Sequence, residues 1–195
     1  MIVALSGITG TGKSFFKDVI LKELDFKNLV IVTTRPKREK EVNGIDKEFV
    51  NEIEFEKLKR ENKIAVDFEF LGAKYAYRKN MLQSSENQVT ELHYNTIYEF
   101  KKQAKDVFAI YIIPYDIERA KQELKKRKLP LEVEKKRLQE IDEHIKEYSN
   151  NTDLKKQFDY VFVNDYTDGA KDKLLQIIKN KINNSKKEEK KWEEK

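Results

Sequence analysis

Apolar residues recur along this chain with two different periods. Ile2–Ser6 is a short, nearly continuous apolar run that stops at Gly7, the pattern of a strand covered on both faces. From about Lys13 to Leu24 the spacing lengthens, and Phe16, Val19, Ile20 and Leu24 fall on one face of a helix. Leu29–Thr33, Val89–His93, Val107–Ile113 and Tyr160–Val163 are further strand candidates. Helical spacing returns over Asp116–Arg127, with Ile117, Ala120 and Leu124 on one face. It returns again over Glu132–Tyr148, with Leu138, Ile141, Ile145 and Tyr148, and over Ala170–Ile182. Strands alternating with helices predict an α/β fold: a three-layer core whose parallel sheet, of about five strands, has helices on both faces.

The series is interrupted between about 34 and 86. Here a short strand ends at Phe49-Val50, Glu52–Arg60 has helical spacing and Ile64–Leu71 alternates. That alternation puts Ile64, Val66, Phe68 and Phe70 on one strand face and Asp67 and Glu69 on the other. The segment reads as an insertion in a single domain spanning about 1–184. Ser185–Lys195, nearly all Lys and Glu with one Trp, is expected to project or fray.

The first strand-to-helix junction carries the most specific chemistry. Gly7-Ile8-Thr9-Gly10-Thr11-Gly12-Lys13-Ser14 fits G-x-x-x-x-G-K-[ST] at every fixed position. Glycines let the backbone turn so that several N–H groups point inward at phosphate oxygens, and the next helix adds its positive end. Lys13 is spaced to reach the β and γ phosphates, and the Ser14 hydroxyl to ligate Mg²⁺. Gly7, Gly10, Thr11, Gly12, Lys13 and Ser14 are therefore the expected ATP site, with Ser14 as the metal ligand.

Composition narrows the setting. Among 195 residues there are 40 basic and 35 acidic side chains, a formal net charge of +5, and no cysteine. Absence of cysteine excludes disulfides, thiolate metal sites and thiol nucleophiles. No apolar run approaches the roughly 18 residues that span a bilayer. The first residues lead straight into the glycine turn rather than into a signal sequence. A cytoplasmic location without a membrane partner is expected. Lysines alternate with glutamates as on solvated helix faces, which argues against nucleic acid as the partner.

The phosphate loop alone does not name an acceptor, since many reactions share it. The residues beyond the second strand do. Thr33-Thr34-Arg35-Pro36-Lys37-Arg38 precedes Glu41-Val42-Asn43-Gly44-Ile45-Asp46 and Phe49-Val50, and later comes Phe70-Leu71-Gly72-Ala73-Lys74-Tyr75. This succession resembles the guanylate kinase family, with its T-T-R-x-x-R, E-x-x-G-x-x-Y-x-F and G-x-x-Y-G elements, over residues 1 to about 182. The resemblance implies a P-loop kinase that moves a phosphoryl group from ATP, with Mg²⁺, to a nucleoside monophosphate, GMP or dGMP by family default. It implies that Arg35, Arg38 and Tyr75 hold the acceptor's phosphate. Arg127 and Arg137 would be the lid arginines, around a short lid at about 126–134, and Asn164 of Val163-Asn164-Asp165 would lie at the adenine site. Arginine suits the clamp because its planar fork matches phosphate geometry.

Several positions depart from the family pattern. Val66 stands where the family has its guanine-reading glutamate, Ile31 where it has a serine, and Lys47 where it has a tyrosine. Glu91-Leu92-His93 replaces D-x-D, Ala76 replaces the glycine that ends G-x-x-Y-G, and Tyr77 replaces the small hydroxyl residue after it. Asp67 is a second candidate for the missing acid, facing either the acceptor or solvent. Glu91 has a role in orienting Mg²⁺ through water as one reading. His93 contacts the acceptor, or is simply a satisfied residue at a strand end. Groups that grip phosphate persist while those that read guanine are mostly lost, so altered base choice is expected. Two other readings stand beside nucleotide kinase: a kinase for a non-nucleotide sugar phosphate, and a non-catalytic binding module of the same fold. Either a monomer or a homodimer is compatible with the sequence.

Overall fold

A computed structural model describes residues 1–193. Its centre is β1 (Ile2–Gly7), which pairs in parallel with β7 (Gln88–Glu91) on one side and β8 (Val107–Pro114) on the other. β2 (Lys27–Asn28) extends the sheet beside β7, and β9 (Tyr160–Asn164) extends it beside β8. The order β2-β7-β1-β8-β9 is a five-stranded parallel sheet.

The apolar run of β1 is continuous because both faces are covered. Ile2 and Ala4 join a cluster with Ile97 and Phe100 of α4 (Ile97–Gln103), and with Leu154 and Phe158. Val3 and Leu5 point the other way, onto Phe16 and Ile20 of α1 (Lys13–Glu23) and Leu174 and Ile178 of a long C-terminal helix, Gly169–Glu193. That helix runs 11 residues past Ile182, through the charged segment expected to fray. Its Lys and Glu are good helix formers, so nothing in the composition stops it. Glu194 and Lys195, the end of the expected tail, lie outside the described residues.

The run read as one strand over Leu29–Thr33 divides between two sheets. Leu29 N–H still bonds Val89 O at the core edge, but β3 (Ile31–Thr33) leaves to join a second sheet. Its partners are β4 (Lys47–Phe49), in parallel, and β6 (Ala73–Arg78), antiparallel; β5 (Ile64–Phe70) completes the order β4-β3-β6-β5. α2 (Glu52–Arg60) packs Phe55 and Leu58 on this sheet against Val32 and Ala76. It starts with a capping box in which Asn51 and Glu54 exchange side-chain-to-backbone bonds, satisfying two end donors.

β5 also departs from simple alternation. Ile64 pairs with Arg78, yet Val66 pairs with Tyr77, so Ala65 is an extra residue. The bulge reverses the faces: Ile64 packs toward α2, while Val66, Phe68 and Phe70 point the other way. The expectation that all four share a face fails at this one residue. α3 (Lys79–Leu82) leads back to β7. After β8 come α5 (Ile117–Lys125), α6 (Leu131–Asn150) and the short α7 (Thr152–Lys156), which makes the Gly169–Glu193 helix α8. No helix among the described residues is long and apolar enough to cross a membrane.

Candidate active site

The loop after β1 needs its glycines for room. Gly10 has φ +91°, and a Cβ there would meet Ala120 O of α5 at 2.2 Å; at Gly7 a Cβ would meet Ile112 O, also at 2.2 Å. Only a residue without a side chain lets β8 and α5 press this closely on the turn. Thr11 ties the loop to itself through Oγ1–H to Ile8 O, 2.9 Å. Lys13 Nζ donates to Gly7 O at 2.8 Å and Ile8 O at 2.7 Å, folded back over the loop it serves.

A brace comes from the end of β9. Asn164, buried, donates through Nδ2 to Thr11 O at 3.1 Å and accepts from Tyr166 N–H at 2.9 Å. Tyr166 in turn donates its hydroxyl to Gly10 O at 3.1 Å, and Arg119 lies 5.7 Å from its ring centre. Asn164, the side chain expected at the adenine site, thus braces the loop and also lines the cleft beside it. Tyr166 and Arg119 escaped the sequence reading because their partners are brought in by the fold, more than a hundred residues away in Tyr166's case.

Charge is concentrated around Lys13. Burial lowers its pKa from the ordinary lysine value to about 8, with Arg127 and Arg137 adding to the fall and Glu91 and Glu140 opposing it. Glu91 is half-buried beside it. Burial pushes its pKa up, but Lys13, Lys47 and Lys17, with the Ser14 hydroxyl, outweigh this and hold it below the ordinary carboxylate value. Burial, Lys17 and Arg35 lower the pKa of Lys47, against Glu91. Lys17 and Glu140 are site residues that no motif marked, and Lys47 was marked only as a lost tyrosine.

On the acceptor side Arg35 is forked onto Glu41, with Nη1 2.8 Å from Oε2 and Nη2 on Oε1, and its guanidinium lies 5.3 Å from the Phe49 ring centre. The Arg35 side-chain bond, helped by the Arg38 backbone N–H, holds Glu41 down at about 2. Burial lowers the Arg35 pKa, but Glu41 and Tyr75 outweigh it, and the Tyr75 ring stacks on Phe68 at 5.2 Å. Arg137 reaches across from α6, 5.5 Å from the Phe70 ring centre and 3.5 Å from Thr9 Oγ1. Burial lowers its pKa, as do Arg127 and Arg38, with Glu140 opposing. Arg127 follows α5, in a connection where Lys128 takes φ +50° and Pro130 precedes α6. Arg35, Arg38, Tyr75, Glu91, His93, Arg127 and Arg137 all line one cleft of about 1280 Å³ with the phosphate loop.

Asp67 is not among them. It lies on the face of β5 opposite Val66, Phe68 and Phe70, as alternation predicts, where it is exposed and bonds Lys59 of α2 at 2.7 Å. It does not supply the acid missing at Val66, whose side chain is buried in the core.

Among the described residues no group of three His, Cys, Asp or Glu side chains could enclose a metal ion. Mg²⁺ does not require one, since it keeps several waters and takes one or two protein oxygens beside substrate phosphates. The Ser14 hydroxyl, with the Glu91 carboxylate whose pKa it helps to lower, is a hard oxygen set of that kind, and it fits.

A family model described as guanylate kinase matches residues 1–181. A guanylate kinase of Malacoplasma penetrans is 30% identical over 190 residues, covering 93% of each chain. One of Bacillus subtilis is 28% identical over 184 residues, covering 91% of this chain and 87% of its own. Among solved structures, the crystal structure of guanylate kinase from Anaplasma phagocytophilum superposes with a TM-score of 0.71 at 22% identity, over 93% of this chain and 85% of that one.

Proposed function

From the premise that the chain belongs to the guanylate kinase family, we propose a role for each side of its cleft. The chain is an ATP-dependent nucleoside monophosphate kinase, a phosphotransferase working with Mg²⁺. GMP is the acceptor in whose terms its relatives are named, and we take it as a substrate here. A sugar phosphate kinase or a non-catalytic module is not favoured by these relatives.

The observation that carries the site assignment is the meeting of two phosphate grips in one cleft. The loop with Lys13 and Ser14 takes ATP, and Arg35, Arg38 and Tyr75 take the acceptor's phosphate. Lys13 swings from the carbonyls of Gly7 and Ile8 onto the β and γ phosphates. Arg127 and Arg137, which already share the field of Lys13, lie over the group in transit. An acceptor phosphate oxygen attacks the γ phosphorus in line, the bond to the ADP oxygen breaks, and no covalent enzyme intermediate forms. The Ser14 hydroxyl, with Glu91, would hold Mg²⁺, which would supply positive charge against the negative charge that builds on the phosphates. The protein's part is positioning and electrostatic stabilisation in a cleft that excludes water. A cytoplasmic location goes with this reading.

Arg38→Ala tests the assignment, because among the described residues its guanidinium has no hydrogen-bond partner whose loss would confuse the result. Loss of a charged hydrogen bond costs about 1.5–3 kcal/mol, so the acceptor KM should rise about ten- to a hundredfold, with the ATP KM little changed. An unchanged acceptor KM removes Arg38 from the clamp.

A further inference from the structure

Beyond the clamp, the cleft continues along an aromatic wall. Tyr75, which lines the cleft with Arg35, stacks on Phe68; Phe68 and Phe70 lie 5.7 and 4.8 Å from the His93 ring centre; His93 stacks on Tyr94 at 4.6 Å. A nucleotide whose phosphate sits on Arg35 and Arg38 lays its base on this surface. Stacking of that kind is tolerant of base identity, because every base has a π face.

Selection must then come from polar atoms in the wall, and these are donors. His93 Nδ1 accepts from Asn95 N–H at 3.4 Å as it caps the 3₁₀ turn Tyr94–Thr96. With Nδ1 in use as an acceptor, the ring is neutral and its single proton is on Nε2. Lys47 lines the same cleft and is also a donor. Carboxylates free to accept from a base are missing among the described residues of this wall. Asp67 and Glu69 are on the opposite face of β5 and Val66 is in the core. Glu41 is held by Arg35, Asp46 accepts from Val42 N–H at 2.6 Å, and Glu91 is engaged by the charges of Lys13, Lys47 and Lys17.

Guanine presents O6 and N7 as acceptors and N1–H and the 2-amino group as donors. Hypoxanthine differs from it only in lacking the 2-amino group, and adenine replaces O6 by a donor. Resting on the kinase reading above, we propose that this site selects 6-oxopurine monophosphates through His93 Nε2–H while leaving the 2-amino group unread, so that IMP is phosphorylated about as well as GMP. A site built to bond a group rejects the analogue lacking it by about 10⁴–10⁵, and here no partner for that group is built.

The experiment is kcat/KM for GMP, IMP and AMP with ATP, for the wild type and His93→Asp. Aspartate keeps the capping role and puts an acceptor where the structure has a donor. The wild type should turn over GMP and IMP within about tenfold of each other and AMP at least about tenfold worse. His93→Asp should raise the GMP-to-IMP ratio by about tenfold or more. A wild-type preference for GMP over IMP above about a thousandfold overturns the proposal, as does AMP matching IMP. An unchanged ratio in His93→Asp removes His93 from the base edge. Absence of turnover with every nucleoside monophosphate is a different failure, that of the kinase reading itself.

Discussion

Lys13 shows how one residue's surroundings set its chemistry. Its ammonium hydrogen-bonds only backbone carbonyls among the described residues and is desolvated by the loop it folds over, hence the pKa near 8. Bound triphosphate adds negative charge and raises that pKa, so binding above pH 8 takes up a proton. The sign is then fixed: kcat/KM for ATP should be flat below about pH 7.5 and fall as pH rises through 8 and beyond. A pH series of initial rates at saturating acceptor checks this, and a profile flat to pH 9.5 contradicts it. Phosphate-binding residues were legible in the sequence because their spacing is fixed by local backbone geometry, as in Gly7 to Ser14 and Arg35 to Arg38. The face of Asp67 was legible from alternation too; that of Ile64 was not, because strand parity alone cannot reveal that Ala65 is inserted. Lys17 and Glu140 went unnoticed, and Lys47 was marked only as a lost tyrosine, for a related reason: each acquires its role only from charges that folding brings near.

At the scale of elements, the phosphate loop is held from outside as much as by its own turn. β8 and α5 fill the space that Gly7 and Gly10 leave open, and the end of β9 supports it through Asn164 and Tyr166. Tyr166→Phe removes the bond to Gly10 O and keeps the ring. A neutral hydrogen bond contributes about 1 kcal/mol, so the ATP KM should rise about fivefold with the acceptor KM unchanged. Steady-state kinetics decide, and equal KM values for ATP would show that the brace is idle. Most core elements could be read from periodicity, since β1, β8 and α5 each keep one period throughout. The division of Leu29–Thr33 between two sheets could not, for no glycine or proline marks the crossing and both pieces are apolar.

Across the whole molecule, the parallel sheet carries the ATP loop and the second sheet carries the acceptor grip, with the α5–α6 connection bearing Arg127 beside both. Three arginines in one field, Arg38, Arg127 and Arg137, repel one another until phosphate charge arrives. Together, ATP and acceptor should therefore draw residues 34–86 and 126–134 inward over the cleft. Solution scattering with a bisubstrate analogue should show a smaller radius of gyration, and hydrogen exchange should slow across 126–134; no change in either contradicts closure. The central claim, a kinase that needs both halves of the cleft, is tested most directly by coupled ADP release from ATP with GMP as acceptor, for the wild type and Lys13→Ala. The account predicts release that depends on both substrates and falls by at least about a hundredfold in a folded Lys13→Ala protein. Lys13→Ala activity within a few-fold of wild type, or wild-type release indifferent to GMP and every other nucleoside monophosphate, would contradict it.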